Sequence, residues 1–164
     1  MIVNDDVDQI TAQWASERPE LETEAMAVFG RIYRLARIVG DRQERAYGRY
    51  GISRGEFDVL ATLRRSGPPF QLSPKALCAA MMLTSGGMTG RLDRLEQRGL
   101  LVRSSDPTDR RGLIITLTDE GRHRADQAVG AGLEVQRDVL DRLPADSRDQ
   151  LANLLRDLLS AASG

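Results

Sequence analysis

Residues 86–117 place the tightest constraint on how this chain can fold. A short helical pattern closes at Gly99, and two strand-forming runs follow, Leu100-Leu101-Val102-Arg103 and Leu113-Ile114-Ile115-Thr116-Leu117. The polar stretch between them, Ser104 to Gly112, is rich in turn formers, so the pair predicts a β-hairpin with a long basic tip. At about 100° per residue, Met88, Leu92 and Leu95 fall within an arc of about 60° and predict the buried side of the helix. Gly86, Gly90, Asp93, Arg94 and Gln97 lie broadly opposite, giving a side that is small near the helix start and polar further on.

The flanking segments read as helices. Val7, Ile10 and Trp14 mark a short one ended by Pro19. A second, over about residues 24–49, carries Val28, Ile32, Leu35 and Val39 in a heptad-like seam flanked by Phe29 and Tyr33. That seam suits either an ordinary buried face or pairing with a second copy of the chain. Ser53 and Glu56 are spaced as a capping box ahead of Phe57, Leu60 and Leu63, and Gly67-Pro68-Pro69 closes that helix. Ser73-Pro74 starts the next, with Leu77, Met81 and Met82 as its apolar face and an expected stop near Leu83. Thr84 or Ser85 is then expected to cap the helix that runs to Arg98, so the two form a helix-turn-helix candidate. After the hairpin, Thr118 caps a helix of more than twenty residues with Val129, Leu133, Gln136 and Leu140 on one side. Pro144 breaks it, and a last helix carries Leu151, Leu154, Leu155, Leu158 and Leu159. The expected organisation is N-terminal helices over 1–50, a winged helix-turn-helix over 51–122 and C-terminal helices over 123–164.

Composition narrows the function. With 164 residues, 41% hydrophobic and 29% charged, the chain can bury a core and is too apolar for disorder. It has no uncharged apolar run long enough to span a membrane, and the opening MIVNDDVDQI lacks the basic and apolar regions of a secretory signal, so a cytoplasmic protein is expected. Cys78 is the only cysteine and His123 the only histidine, which excludes an intramolecular disulfide and a zinc site with several Cys or His ligands from one chain. No metal or cofactor is expected. Residues 1–24 hold seven acids and one base, whereas residues 25–164 hold 22 bases and 17 acids, so an acidic arm precedes a basic body. Only Lys75 among the 23 bases is lysine. A coding bias explains this; so would a need for guanidinium forks, which bind phosphates and guanine edges in pairs.

A helix entering a major groove needs little bulk where the backbone approaches and hydrogen-bonding groups beyond. Thr89, Arg94 and Gln97 fit that role, with Ser85 at the helix start, and the free N–H groups there favour a phosphate. Gly86, Gly87 and Gly90 in the first turns predict an end that frays in the free protein and orders on DNA. Arg110 and Arg111 at the hairpin tip can reach a narrow minor groove, with Asp106 and Asp109 organising the turn; in isolation such a pair also suits a solvated loop. Three rival readings stand beside this one. An enzyme would have to use His123 or Cys78, neither of which has a motif around it; the many carboxylates are expected on solvated helix faces. A protein-interaction scaffold would use the leucine-rich helices. A redox-sensing regulator would use Cys78, which sits in an apolar helix where cysteine is usually buried and inert.

In this order and spacing, the residues Thr84-Ser85-Gly86-Gly87-Met88-Thr89-Gly90-Arg91-Leu92-Asp93-Arg94-Leu95-Glu96, Arg98-Gly99-Leu100-Leu101, Asp106-Pro107-Thr108-Asp109-Arg110-Arg111-Gly112, and Leu117-Thr118 with Gly121 resemble the MarR family of winged-helix transcriptional regulators. The resemblance covers about residues 26–160. It implies a mainly α fold with a small β-hairpin wing and a homodimer held by its N- and C-terminal helices. It also implies a pseudo-palindromic operator in double-stranded DNA, and repression released by a small phenolic or other anionic effector. Relatives often carry Asn where this chain has Gly90, so that base-reading side chain is missing here. The stretch Gln13 to Leu21 is similar to the extra helix of the urate-responsive branch, in which a Trp, an Asp and two Arg form the ligand site. The matching positions are Trp14, Asp58, Arg91 and Arg103. Asp58 is expected to point away from the Phe57–Leu60–Leu63 face, and Arg91 to flank the Met88–Leu92–Leu95 arc. Asp58 and Arg91 equally suit a plain ion pair, with Trp14 anchoring the extra helix.

Overall fold

The computed structural model describes residues 4–82, 86–107 and 112–164. They form two compact units, Met1–Asp41 and Arg42–Gly164. In the first, Asp5 opens α1 (Asp6–Glu17) through a capping box: its carboxylate accepts from the Val7 and Asp8 N–H groups, and the Asp8 carboxylate accepts from the Asp5 N–H. Val7 is buried against α2 (Glu24–Gly48) at Gly30, where a Cβ would stand 3.1 Å from Val7 Cγ1. Arg31 pairs with Asp5 and Asp8, and Arg34 with Asp6, fastening α1 to α2. The expected seam on α2 is largely uncovered in this single chain, with Val28 and Leu35 each 47% exposed.

The second unit runs from the end of α2 through α3 (Arg54–Arg65), β1 (Gln71–Leu72), α4 (Pro74–Ala80), α5 (Met88–Gln97), β2 (Leu101–Ser105), β3 (Leu113–Leu117), α6 (Asp119–Leu140) and α7 (Ala145–Ser163). The hairpin is present, with Leu101 opposite Leu117 and Ser105 opposite Leu113. The sheet has a third strand that the sequence reading missed: β1 pairs antiparallel with β3, in the order β1-β3-β2. Ile52, Leu60, Leu63, Leu77, Leu95, Leu100, Leu101 and Ile115 are almost fully buried and form the core, with Met88 packed at its edge. The Met88–Leu92–Leu95 arc is therefore the inner side of α5.

Local chemistry sets the helix ends. Ser53 accepts from the Glu56 N–H and the Glu56 carboxylate accepts from the Ser53 N–H, the predicted box. Ser73 caps α4, with Pro74 at its first position. α4 stops at Ala80, earlier than expected, because distant side chains satisfy its end: Arg65 donates to the Ala80 carbonyl, and the Met82 N–H donates to the Asp58 carboxylate at 3.3 Å. α5 starts later than expected. Its N-cap is Gly87, at a left-handed φ of 73° with no side-chain cap, so Gly86 and Gly87 precede the helix; Thr84 and Ser85 lie outside the described residues. α5 ends as predicted at Gly99 (φ 67°), where Leu100 N–H reaches the Leu95 carbonyl and Gly99 N–H the Glu96 carbonyl. Thr118 joins three elements. Its hydroxyl donates to the Gly99 carbonyl and accepts from the Gly121 N–H in the first turn of α6, while its own N–H donates to the Leu100 carbonyl.

Candidate nucleic-acid interface

The outer side of α5 is open. Thr89 and Gln97 are exposed, and the Arg94 side chain is 57% exposed. Arg94 is nonetheless anchored: its Nε donates to Glu56 Oε1 at 2.9 Å, and Arg98 Nη1 lies 3.6 Å from Glu56 Oε2. The Glu56 side chain is only 7% exposed. Burial pushes its carboxyl up, but the Ser53 N–H and the guanidiniums of Arg94 and Arg98 outweigh this and hold it below the usual glutamate value. This acid was legible as a capping residue but not as the partner of an arginine 38 residues away, and it corrects the expectation that the carboxylates sit on solvated faces. On the other flank, Arg103 of β2 reaches back to α5. Its Nε donates to Glu96 Oε2 at 2.9 Å, its Nη2 lies 2.7 Å from Asp93 Oδ1, and its backbone N–H donates to Glu96 Oε1 at 3.0 Å. These bonds from Arg103 hold the Glu96 carboxyl below its usual value. The Asp106 N–H closes the base of the wing on the Gly112 carbonyl at 2.9 Å. Ser85, Arg110 and Arg111 lie outside the described residues, as does Asp109.

The residues matched to the ligand site are distributed as follows. Asp58 is buried rather than turned outward, with its backbone carbonyl accepting from Thr62 Oγ1 at 2.7 Å. Arg91 lies against α3: a Cβ at Gly55 would stand 2.7 Å from Arg91 Nε, one helical turn before Asp58. The structure thus brings Asp58 and Arg91 to one side of α3, while Arg103 is engaged by Asp93 and Glu96. Trp14 belongs to the first unit and is 41% exposed. A cavity of about 340 Å³ opens beside Asp58, lined also by Tyr47, Phe57, Arg65, Met82 and Leu133. The Tyr47 and Phe57 rings stack at 4.1 Å. Cys78 is partly buried, and His123 is exposed. Among the described residues no cluster of His, Cys, Asp and Glu could hold a metal ion, and no helix is long and apolar enough to cross a membrane.

Two short helices, the second with an open polar side, followed by an antiparallel wing, define the winged helix-turn-helix class. Residues 50–112 match the model of the MarR family. The chain is 39% identical over 150 residues to the HTH-type transcriptional regulator PecS of Dickeya dadantii (strain 3937), a match covering 92% of this chain and 90% of that protein. The chain belongs to the MarR family of transcriptional regulators. Among solved structures, Sco3205 from Streptomyces coelicolor, a MarR family regulator in complex with DNA, has a TM-score of 0.73 at 23% identity over 86% of this chain and 89% of that one. The organohalide-sensing RdhR regulator in its 2,4-dichlorophenol-bound form has a TM-score of 0.75 at 17% identity over 87% of this chain and 83% of that one. These two likenesses confirm the fold. The enzyme reading falls, since the relatives are transcriptional regulators.

Proposed function

We propose that the protein is a cytoplasmic, homodimeric repressor that binds a pseudo-palindromic operator in double-stranded DNA and leaves it when a small anionic or aromatic effector binds. The open polar side of α5, carrying Thr89, Arg94 and Gln97 beside the wing, is the observation that carries this reading. In it, those three side chains and Ser85 meet the major groove, and Arg110 and Arg111 enter the minor groove. Sco3205, of the same fold, is known in complex with DNA. Uncovered apolar side chains on α2, α6 and α7, among them Val28, Leu35, Leu133, Leu154 and Leu159, support pairing of two chains. Binding of duplex DNA with a steep salt dependence, and a footprint on the gene's own promoter, are the expected results. A monomer indifferent to duplexes at low salt overturns the reading.

For the effector, Asp58, Arg91 and the adjoining cavity offer an acid, guanidiniums and aromatic walls, which suit a planar anion such as urate. Arg91 lies on the helix that bears the base-reading side chains, so a ligand that favours one Arg91 position biases α5 itself. Trp14 and Arg103 enter this site on sequence resemblance. Titration with urate and related anions should release operator DNA and change the fluorescence of Trp14, the one tryptophan. No response to any of them removes the effector claim and leaves the DNA reading standing.

A further inference from the structure

We infer that Glu56 is a positioning residue for base recognition: it grips Arg94 by Nε and so presents the Nη1/Nη2 end of the guanidinium to the major groove. This rests on the reading of α5 given above. Glu56 is a fixed anchor, buried on α3 and held by the Ser53 N–H at 2.9 Å on Oε2. Its other oxygen, Oε1, takes the Arg94 Nε–H at 2.9 Å. Arginine carries five N–H donors in a rigid fork, so using Nε leaves four on Nη1 and Nη2. A bidentate contact to guanine O6 and N7 needs two of these. The partial exposure of Arg94 leaves that end accessible.

Gly90 completes the device. A Cβ there would stand 3.4 Å from Arg94 Nη1, so the guanidinium leans back over the first turn of α5, in the direction helical side chains favour. A branched polar side chain at position 90 would occupy that space. An arginine already held in place loses less freedom on binding a base. The tether also has a cost: the Glu56 carboxylate places negative charge near the phosphates. A positioning role and a merely structural one therefore differ in sign. Losing the charge should loosen base choice while sparing, or raising, affinity for unrelated duplexes.

The test uses the full-length protein and a panel of operator duplexes with each base pair substituted in turn, beside an unrelated duplex. Arg94→Ala should abolish preference at one base pair. Glu56→Gln should weaken that same preference about tenfold, with affinity for the unrelated duplex unchanged or higher. In base preference the double variant should match Arg94→Ala alone, since both act on that preference through one contact. Gly90→Asn, which leaves Glu56 in place, should weaken the same preference and serves if Glu56→Gln unfolds. Full base preference retained in Glu56→Gln or in Gly90→Asn, while Arg94→Ala loses it, overturns the inference and leaves the reading of α5 intact. So does an equal loss of affinity for all duplexes in Glu56→Gln. If Arg94→Ala keeps every preference, the assignment of Arg94 to base reading falls, and this inference with it.

Discussion

Helix α5 is tied down on two sides by similar chemistry in different surroundings. Towards α3, the acid Glu56 is 7% exposed and the guanidinium of Arg94 reaches into solvent. Towards the wing the arrangement is reversed: the cation Arg103 lies between two acids, Asp93 and Glu96, that are 46% and 35% exposed. A buried carboxylate must be satisfied whenever the unit is folded, because an unpaired one is costly. Ion pairs near the surface are screened by salt and contribute little. The tie to α3 thus has one buried member, whereas the tie to the wing lies nearer solvent.

Leu95→Ala should have the largest effect, because this side chain is fully buried beneath both ties. A loss of about 2–5 kcal/mol in urea unfolding is expected. Glu56→Ala comes next, removing a cap partner and the Arg94 tether together, and should cost about 1–2 kcal/mol. The same residue gives an acid signature. Its folded carboxyl lies below the usual glutamate value, so its contribution is complete above that value and is lost as pH falls through the depressed one. Wild-type stability should accordingly drop more steeply in acid than that of Glu56→Gln. Gly90→Ala should raise thermal stability by at most about 1 kcal/mol, since the added methyl only touches Arg94 Nη1. Smallest of all should be Arg103→Gln, whose effect on stability should fade in concentrated salt. A Glu56→Ala effect that faded equally would erase the distinction between the two ties.

Features encoded by neighbouring residues were legible in the sequence. The Ser53–Glu56 box, the Ser73-Pro74 start, the Gly99 exit and the Thr118 cap all depend on residues within a turn of one another. The inner arc of α5 followed from helical periodicity alone. What escaped was set across the fold. β1 is two residues long and exists only because β3 lies alongside. The end of α4 is imposed by Arg65 and Asp58 of another helix, not by a breaker in its own sequence. Glu56 was read as a cap because Ser53 is adjacent, while its second partner, Arg94, is near only after folding. The start of α5 was misplaced because a left-handed Gly87 took the place expected for a hydroxyl cap.

Thr118 has a mechanical consequence. With one residue it bonds the exit of α5, the root of the wing and the first turn of the long helix α6. These parts meet at a rivet rather than a hinge. A displacement of α6 therefore reaches the tail of α5 and the root of the wing through a single side chain and its own backbone N–H.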